Sequence, residues 1–265
     1  MEVQSKNTIL RVEHLKAGYG GRTILNDISF DVKKGEIRMI LGSSGCGKST
    51  LLNNILKLIK AQSGTITYFG KTFGAKEGLD SETRMRTGVL FQNGALLSDL
   101  TVAENAMLPL IRSMPYMPKS QMEAIVADRL EKVHLLDAFH KYPSELSGGM
   151  KKRAALARAI ALKPELLFCD EPSTGLDPVT ARSLDELLLE LRDTLGVSMV
   201  IVSHELESIK IICDRFVYLQ EGYVLMDGTL QQGLDSENPT LWKFFRRECP
   251  PEKDNNEYYH FDFLD

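Results

Sequence analysis

The sequence contains few cysteines and no long apolar segment. Its four cysteines, Cys46, Cys169, Cys213 and Cys249, are scattered, and none pair in the C-x-x-C spacing of a metal or redox motif. We therefore expect reduced thiols in a cytosolic protein. No apolar run approaches the ~20 residues that a membrane-spanning helix needs, and the N-terminal segment lacks the apolar core of a signal peptide. Any action at a membrane would then require a second chain.

A strong charge of either sign is also lacking. The chain has 32 Lys and Arg residues against 36 Asp and Glu residues, so its formal net charge is -4 at pH 7. This balance provides no bulk electrostatic attraction to nucleic acid, and we expect no nucleic-acid partner. The 265 residues, of which 43% are hydrophobic, suit one large α/β domain or one and a half smaller ones.

Short apolar runs of strand length alternate with segments of helical period. The runs include IRMIL, ELLFC and SMVIV, and the helical segments include STLLNNILKLI and TARSLDELLLELRDTLG. This alternation favours a largely parallel, buried sheet. From about residue 92 to 162 the alternation stops, and capping boxes at 101–104 and 120–123 predict helices there. We expect a sheet-based core with an inserted helical segment, followed by a tail after Gly228.

The segment GSSGCGKST directly follows the apolar run IRMIL. It fits G-x-x-x-x-G-K-[ST], a loop whose glycines leave backbone N–H groups free to surround phosphate oxygens. Lys48 would reach the β- and γ-phosphates, and Ser49 would bind Mg²⁺. A chance glycine-rich turn is the alternative, but the position between a strand and a helix favours a nucleotide site. Its predicted residues are Gly42, Ser43, Ser44, Gly45, Cys46, Gly47, Lys48, Ser49 and Thr50.

Two carboxylates and a histidine follow later apolar runs. Asp170 and Glu171 come at the end of ELLFCDE, and His204 follows MVIVS. Ligands gather at the carboxyl ends of strands in open parallel sheets. We expect Asp170 to bind Mg²⁺, Glu171 to polarise the attacking water, and His204 to lie near the γ-phosphate. A surface Asp–Glu pair and a structural histidine are the alternatives, which the nearby phosphate loop disfavours.

The segment LSGGMKKRAALARAIAL begins a strongly helical stretch with a serine and two glycines. Lys151, Lys152 and Arg153 crowd its first turn, where each cation opposes the helix dipole by roughly 0.3–1 kcal/mol. A sequence selected only for folding would prefer acidic residues there, so we interpret the segment as a second anion site. A solvated basic face is the alternative.

With these motifs in this order, the chain resembles the ATP-binding cassette (ABC) ATPases from about residue 8 to residue 228. The resemblance implies an α/β fold: a P-loop NTPase (RecA-like) core with a mainly parallel sheet, an antiparallel β portion and a helical subdomain inserted at about residues 93–162. It implies an ATPase domain at residues 1–230 and a C-terminal extension at 231–265. ATP and Mg²⁺ are the implied ligands, and ATP hydrolysis is the implied reaction.

The resemblance also assigns roles to single residues. Tyr19 matches the aromatic residue that stacks on adenine, and Asp177 matches a loop that communicates across a dimer. Catalysis is assigned to Glu171, His204 and Lys48, and the Mg²⁺ ligands are Ser49, Gln92 and Asp170. In a head-to-tail homodimer, each subunit would contact its partner's ATP through Ser147, Gly148, Gly149 and Lys151. Met150 stands where many family members carry glutamine.

A narrower resemblance lies in GVLFQNGALLSDLTVAENAMLPL and in GGMKKR. Both are similar to the ATPases of Mla-type (maintenance of lipid asymmetry) and MCE-associated phospholipid transporters. The implied partners are an integral permease that docks near Gln92–Leu100, an MCE-type lipid-binding protein and, as a further option, a small regulatory subunit. The apolar patch for the permease would be Ala95, Leu96, Leu97 and Leu100, although subdomain core explains part of it. The chain would lie peripherally at the cytoplasmic face of the inner (plasma) membrane.

Three other functions stay open. An ABC importer for amino acids or another small solute shares nearly every motif. A soluble ABC protein that clamps nucleic acid or ribosomes usually carries two cassettes or a long coiled coil, and neither is present. A degenerate, scaffolding cassette is disfavoured by intact Lys48, Asp170, Glu171 and His204.

The last part of the chain has a different composition. Asn238 and Pro239 suit a helix start, and Pro250 and Pro251 would end that helix. The final segment, YYHFDFLD, is rich in aromatics, which is rare in a disordered end. We hypothesise that it docks on a neighbouring subunit, and simple disorder is the alternative.

Overall fold

The computed structural model describes residues 7–247, which fall into two compact units that divide between Leu230 and Gln231. In chain order the elements are β1 (Thr8–Tyr19), β2 (Arg22–Lys33), β3 (Ile37–Gly42), α1 (Lys48–Ile55), β4 (Ser63–Tyr68), β5 (Lys71–Gly74), α2 (Ser81–Met85), β6 (Thr87–Leu90), α3 (Val102–Ser113), α4 (Lys119–Lys132), α5 (Gly148–Ala159), β7 (Leu166–Asp170), α6 (Pro178–Leu195), β8 (Ser198–Val202), α7 (Leu206–Ile212), β9 (Arg215–Gln220), β10 (Tyr223–Thr229), α8 (Leu230–Leu234) and α9 (Pro239–Arg246).

The central sheet has six strands in the order β10-β9-β3-β8-β7-β6. All neighbours pair in parallel except β10, which runs antiparallel to β9 at the edge. Every residue of β3 and β8 is buried, as continuous apolar runs in a two-sided parallel sheet require. The predicted α/β class with a mainly parallel sheet is confirmed.

A second sheet contains four antiparallel strands in the order β2-β1-β4-β5. Its buried side chains join those of α1 and of four central strands in one hydrophobic cluster. Helix α1 contacts both sheets, reaching β1 and β2 on one side and β3 and β8 on the other. The helix that follows the phosphate loop is therefore held in the core, and the loop is anchored by it.

Helices α3, α4 and α5 pack against one another. The predicted capping box of α3 is present: Thr101 Oγ1 accepts from the Glu104 N–H at 3.2 Å, and the Glu104 carboxylate accepts from the Thr101 N–H at 2.8 Å. The second predicted box is wrong. Helix α4 begins at Lys119 after Pro118, so Ser120 is already its second residue and cannot cap it.

A cluster of charged side chains lies at the end of the central sheet opposite the phosphate loop. Arg38, near the start of β3, is fully buried, and its Nη2 lies 2.5 Å from Oδ1 of Asp227 on β10. Arg215, the first residue of β9, contacts Asp227 at 3.0 Å and reaches Asp31 on β2 at 3.4 Å. The cluster therefore connects the two sheets.

In the second unit, α9 begins where the sequence predicts. The Asn238 side chain accepts from the Thr240 N–H at 2.9 Å, and Pro239 occupies the first helical position. Arg246 lies 3.3 Å from the centre of the Trp242 ring. The terminal aromatic segment, with its hypothetical docking, lies outside the described residues. No helix within residues 7–247 is long and apolar enough to cross a membrane.

Candidate active site

The strand order brings the predicted motifs to one edge of the central sheet. Strands β3, β8, β7 and β6 lie side by side and parallel, so their carboxyl ends meet at the same edge. Val202 on β8 pairs with Ile40 on β3 and with Asp170 on β7. The phosphate loop follows β3, and His204 follows β8. The two carboxylates lie at the end of β7, and Gln92 follows β6.

Two glycines of the phosphate loop allow it to approach its neighbours closely. Gly42 has φ 146°, and a Cβ there would lie 2.4 Å from the carbonyl oxygen of Leu219. Gly47 has φ 109°, and a Cβ there would lie 2.6 Å from Leu25 Cδ2. Both positions exclude side chains for packing reasons as well as for access to a phosphate.

The Lys48 side chain folds back over the phosphate loop. Its Nζ donates to the carbonyl oxygens of Gly42 at 2.8 Å and of Ser43 at 2.9 Å. An ammonium group has three N–H donors, so a third can serve an anion in the loop. The first turn of α1 contains no acidic side chain to compete for it. This cradle fits the phosphates of a nucleotide.

The residues of the loop differ in how they could contact a ligand. Ser43, Ser44, Gly45 and Ser49 are exposed. The side chains of Cys46 and Thr50 are buried, and Cys46 belongs to the hydrophobic cluster. Burial raises the pKa of the Cys46 thiol. Any contact of Cys46 or Thr50 with a nucleotide would therefore use the backbone.

The predicted metal ligands also fit Mg²⁺. The Ser49 hydroxyl is exposed in the first turn of α1, and Asp170 ends β7, which is separated from β3 by β8 in the sheet. Burial and then the charge of Glu171 raise the pKa of Asp170, so a cation at this edge would stabilise the carboxylate. Within the described range no group of three or more His, Cys, Asp or Glu side chains could hold a metal. One carboxylate with neutral oxygens suits Mg²⁺, which keeps waters and binds substrate phosphates.

The Glu171 carboxylate is held by side chains from three loops. Its Oε2 accepts from Gln92 Nε2 and from Thr174 Oγ1, both at 3.0 Å. Its Oε1 lies 3.1 Å from His204 Nδ1. The backbone of Glu171 has φ 44°, a left-handed conformation that is uncommon for residues other than glycine. Its N–H donates to the carbonyl oxygen of Val202 at 2.9 Å. Such local strain is typical of functional positions.

Thr174 was not identified from the sequence. Its place in the segment STGLD, three residues after the catalytic candidate, was the available signal. A threonine in a turn usually bonds to nearby backbone, so only the folded loop shows that its hydroxyl contacts Glu171.

Two of the three cations after the serine–glycine segment have internal partners. The Lys152 ammonium is buried and donates to the Gln92 carbonyl oxygen. The Arg153 guanidinium donates to the carbonyl of Val133 and the hydroxyl of Ser183, each at 2.9 Å. Only Lys151 is exposed. The interpretation of all three as an anion site is therefore wrong for Lys152 and Arg153, whose cost at the helix start is offset by tertiary contacts.

The serine–glycine segment lies at the start of α5, beside Leu176 and Thr180. Ser147 caps α5 by accepting from the Met150 N–H at 3.3 Å. A Cβ on Gly149 would lie 2.5 Å from Thr180 Cγ2, which gives this glycine a packing role, and Gly148 lies beside Leu176. Among the residues that the structure describes, no hydrogen bond or ion pair joins 147–151 to 42–50.

Tyr19 and Asp177 occupy defined positions outside the carboxylate cluster. Tyr19 ends β1 and is 48% exposed. Asp177 caps α6, accepting from the N–H groups of Val179 and Thr180 at 3.1 and 3.0 Å and from the Thr180 hydroxyl at 2.5 Å. These hydrogen bonds lower the pKa of Asp177.

Comparison with known proteins identifies the family. Residues 25–174 match the ABC transporter family. The chain is 37% identical to the intermembrane phospholipid transport system ATP-binding protein MlaF of Haemophilus influenzae, over 91% of each chain. It is 41% identical to the methionine import ATP-binding protein MetN of Chlamydia felis, over 83% of this chain and 65% of that protein.

Solved structures give the same result. The cbiO1 protein of Clostridium perfringens, part of the ABC transporter complex cbiONQ, superposes with a TM-score of 0.76 at 30% identity, over 84% of this chain and 89% of that one. The ATP-binding cassette MJ0796 was solved as a dimer in a post-hydrolysis state bound to ADP and Pi. It superposes with a TM-score of 0.73 at 28% identity, over 83% of this chain and 98% of that one. This chain therefore belongs to the ABC transporter family, as an ATP-binding subunit that hydrolyses ATP with Mg²⁺.

Proposed function

We propose that this ATPase drives phospholipid transport through a separate membrane permease that works with an MCE-type lipid-binding protein. The observation that carries the lipid assignment is the end-to-end match to a phospholipid-system ATPase, which covers 91% of both chains. The methionine-import relatives match only 65–69% of their own length in the examples from Chlamydia felis and Clostridium acetobutylicum.

In the proposed reaction, Glu171 is the general base. Its carboxylate would accept a hydrogen bond from the attacking water, which Gln92 and His204 help to position. Each carboxylate oxygen has lone pairs beyond those used by the present donors, so a water can be added to the cluster. Mg²⁺, held by Ser49, Gln92 and Asp170, would supply positive charge at the phosphate oxygens.

The remaining assigned residues would bind ATP. Lys48 and the backbone of the phosphate loop hold the phosphates, and Tyr19 offers an exposed ring to adenine. Residues 147–151 would contact the nucleotide of the partner subunit. Among the described residues, no hydrogen bond or ion pair joins them to the phosphate loop of their own chain, and the dimeric form of the related cassette supports this arrangement. Asp177, at the start of α6, would lie at the same subunit interface.

A groove beside the Gln92 loop is the proposed docking site of the permease. Its volume is about 730 Å³, and it is lined by apolar side chains that include Phe91 and Leu108, by Ala95, and by three arginines. The arginines are Arg84, Arg112 and Arg158, and no acidic residue within 7–247 lines the groove. A short permease helix with apolar and acidic side chains would fit both features. The ATPase would then lie peripherally at the cytoplasmic face of the membrane.

The predicted apolar patch is only partly exposed. Leu97 is 51% exposed and Ala95 is exposed, whereas Leu96 and Leu100 are half-buried. Ala95 lines the groove described above, but the three leucines do not. The permease site is thus proposed around Ala95 and the arginines rather than along the whole patch.

Import of an amino acid is the second candidate, and its support is the identity of 37–41% to methionine-import ATPases. Reconstitution distinguishes the two. The chain would be co-purified with its permease and placed in vesicles that contain either fluorescent phospholipid or external radiolabelled methionine. ATP-dependent phospholipid movement that is lost in Glu171→Gln supports the proposal. Methionine uptake without lipid movement would contradict it.

A further inference from the structure

Lys152 contacts two of the loops that carry the reaction. It lies near the start of α5 and is 7% exposed. Its Nζ donates to the carbonyl oxygen of Gln92 and lies 3.4 Å from the carbonyl oxygen of Glu171. These loops follow the adjacent strands β6 and β7, so a single ammonium group connects α5 to both.

A second cation of α5, Arg158, binds the part of the loop that follows Gln92. The Arg158 guanidinium donates to the carbonyl oxygens of Gly94 at 2.6 Å and of Ala95 at 2.7 Å. A Cβ on Gly94 would lie 3.3 Å from the Cβ of Ala155, so the loop runs directly along the helix. Arg158 does not contact Glu171, which makes Lys152 the link to the carboxylate.

The contacts form a closed ring. Lys152 binds the main-chain carbonyls of Gln92 and Glu171, and the side chains of these two residues bind each other at 3.0 Å. An ammonium group is costly to bury unless carbonyls or carboxylates surround it. Burial lowers the pKa of Lys152, while the negative charges of Glu171 and Asp170 oppose that change. The group is therefore fixed in place by the loops that it joins.

We propose that Lys152 is a positioning residue for ATP hydrolysis, which holds the Gln92 and Glu171 loops so that the Gln92 amide stays in contact with the Glu171 carboxylate. Lys152 acts only through these two residues and touches no reacting atom. The inference rests on the proposed role of Glu171 as the general base. Small displacements of a catalytic group have large effects on rate, because the reacting atoms must be close together and correctly aligned.

Two variants at this position test the inference. Lys152→Met removes the ammonium and keeps an unbranched side chain, while Lys152→Arg keeps a cationic donor. Steady-state ATPase kinetics and thermal melting are measured on the dimer with its permease. We expect kcat of Lys152→Met to fall by about tenfold or more, with KM for ATP within about twofold of wild type and little change in Tm. Lys152→Arg should recover most of kcat.

A matched control is Lys119→Met, because Lys119 is an exposed lysine at the start of α4. Its kcat should equal that of the wild type. If Lys152→Met folds and turns over at the wild-type rate, the inference is wrong. If Lys152→Met does not fold, Lys152→Gln replaces it, and wild-type kcat in that variant would equally overturn the inference. Glu171→Gln separately tests the base, since full turnover there would overturn the proposed role of Glu171 as the general base.

Discussion

Gln92 Nε2 donates a hydrogen bond to Glu171 Oε2 at 3.0 Å, although the two residues are 79 positions apart in the chain. The contact exists because β6 and β7 are adjacent and parallel, so the loops after them leave the sheet side by side. Thr174 and His204 complete the set of donors around the same carboxylate. In the proposed mechanism, hydrolysis depends on groups contributed by three separate loops.

Replacing Glu171 with Gln should reduce kcat for ATP hydrolysis by at least about 100-fold, because the amide cannot accept the proton of the attacking water. ATP binding should persist, and the variant should accumulate as an ATP-bound dimer. ATPase assays and size-exclusion chromatography with ATP measure both effects. Glu207→Gln, at an exposed position on α7, is the control and should behave as wild type. Turnover retained in Glu171→Gln would show that another group is the base.

Replacing Thr174 with Val should lower kcat by about tenfold, because the Glu171 carboxylate loses one hydrogen bond that fixes its orientation. The side-chain volume is nearly unchanged, so Tm should change little. Thr194→Val is a matched control, since that hydroxyl bonds only to the backbone of its own helix. Equal kcat values for the two variants would mean that Thr174 does not orient the base.

Asp185 should make the stability depend on pH. This residue of α6 is buried, and burial raises its pKa from 3.8 to about 6. The folded state therefore binds the proton more tightly than the unfolded state. Its stabilising contribution is complete below about pH 4 and is lost as pH rises to about 6.

The corresponding test is Asp185→Asn, which mimics the protonated acid. Relative to wild type, the free energy of unfolding of the variant should rise by up to about 3 kcal/mol between pH 4 and pH 7. Urea titrations at several pH values measure this difference. A difference that stays constant over this range would exclude a raised pKa for Asp185.

Asp227→Ala should destabilise the protein by about 3–5 kcal/mol, because it leaves the fully buried Arg38 guanidinium without its nearest carboxylate. Denaturant unfolding of the purified chain measures the loss. Asp137→Ala, at an exposed position, should change stability by less than about 0.5 kcal/mol. If both variants unfold at the same denaturant concentration, the Arg38 pair makes no net contribution to stability.

Part of the site followed directly from local patterns. The phosphate loop is one continuous segment, and its glycines and Lys48 define its chemistry without reference to any other part of the chain. The start of α9 at Asn238 was predicted for the same reason, because a cap and its helix are neighbours in sequence. The predicted cap at Ser120 was wrong, because Pro118 occupies the cap position and the helix begins two residues earlier than predicted, at Lys119.

The sequence by itself determined the fold class, the phosphate loop and the strand-end positions of Asp170 and Glu171, since each depends on residues that are close in the chain. Only the tertiary structure decided which donors surround Glu171 and that Lys152 joins its loop to that of Gln92. These contacts depend on strand order and on the packing of α5, which bring distant segments together. A lysine has the same local pattern whether its ammonium lies in solvent or between two buried carbonyls.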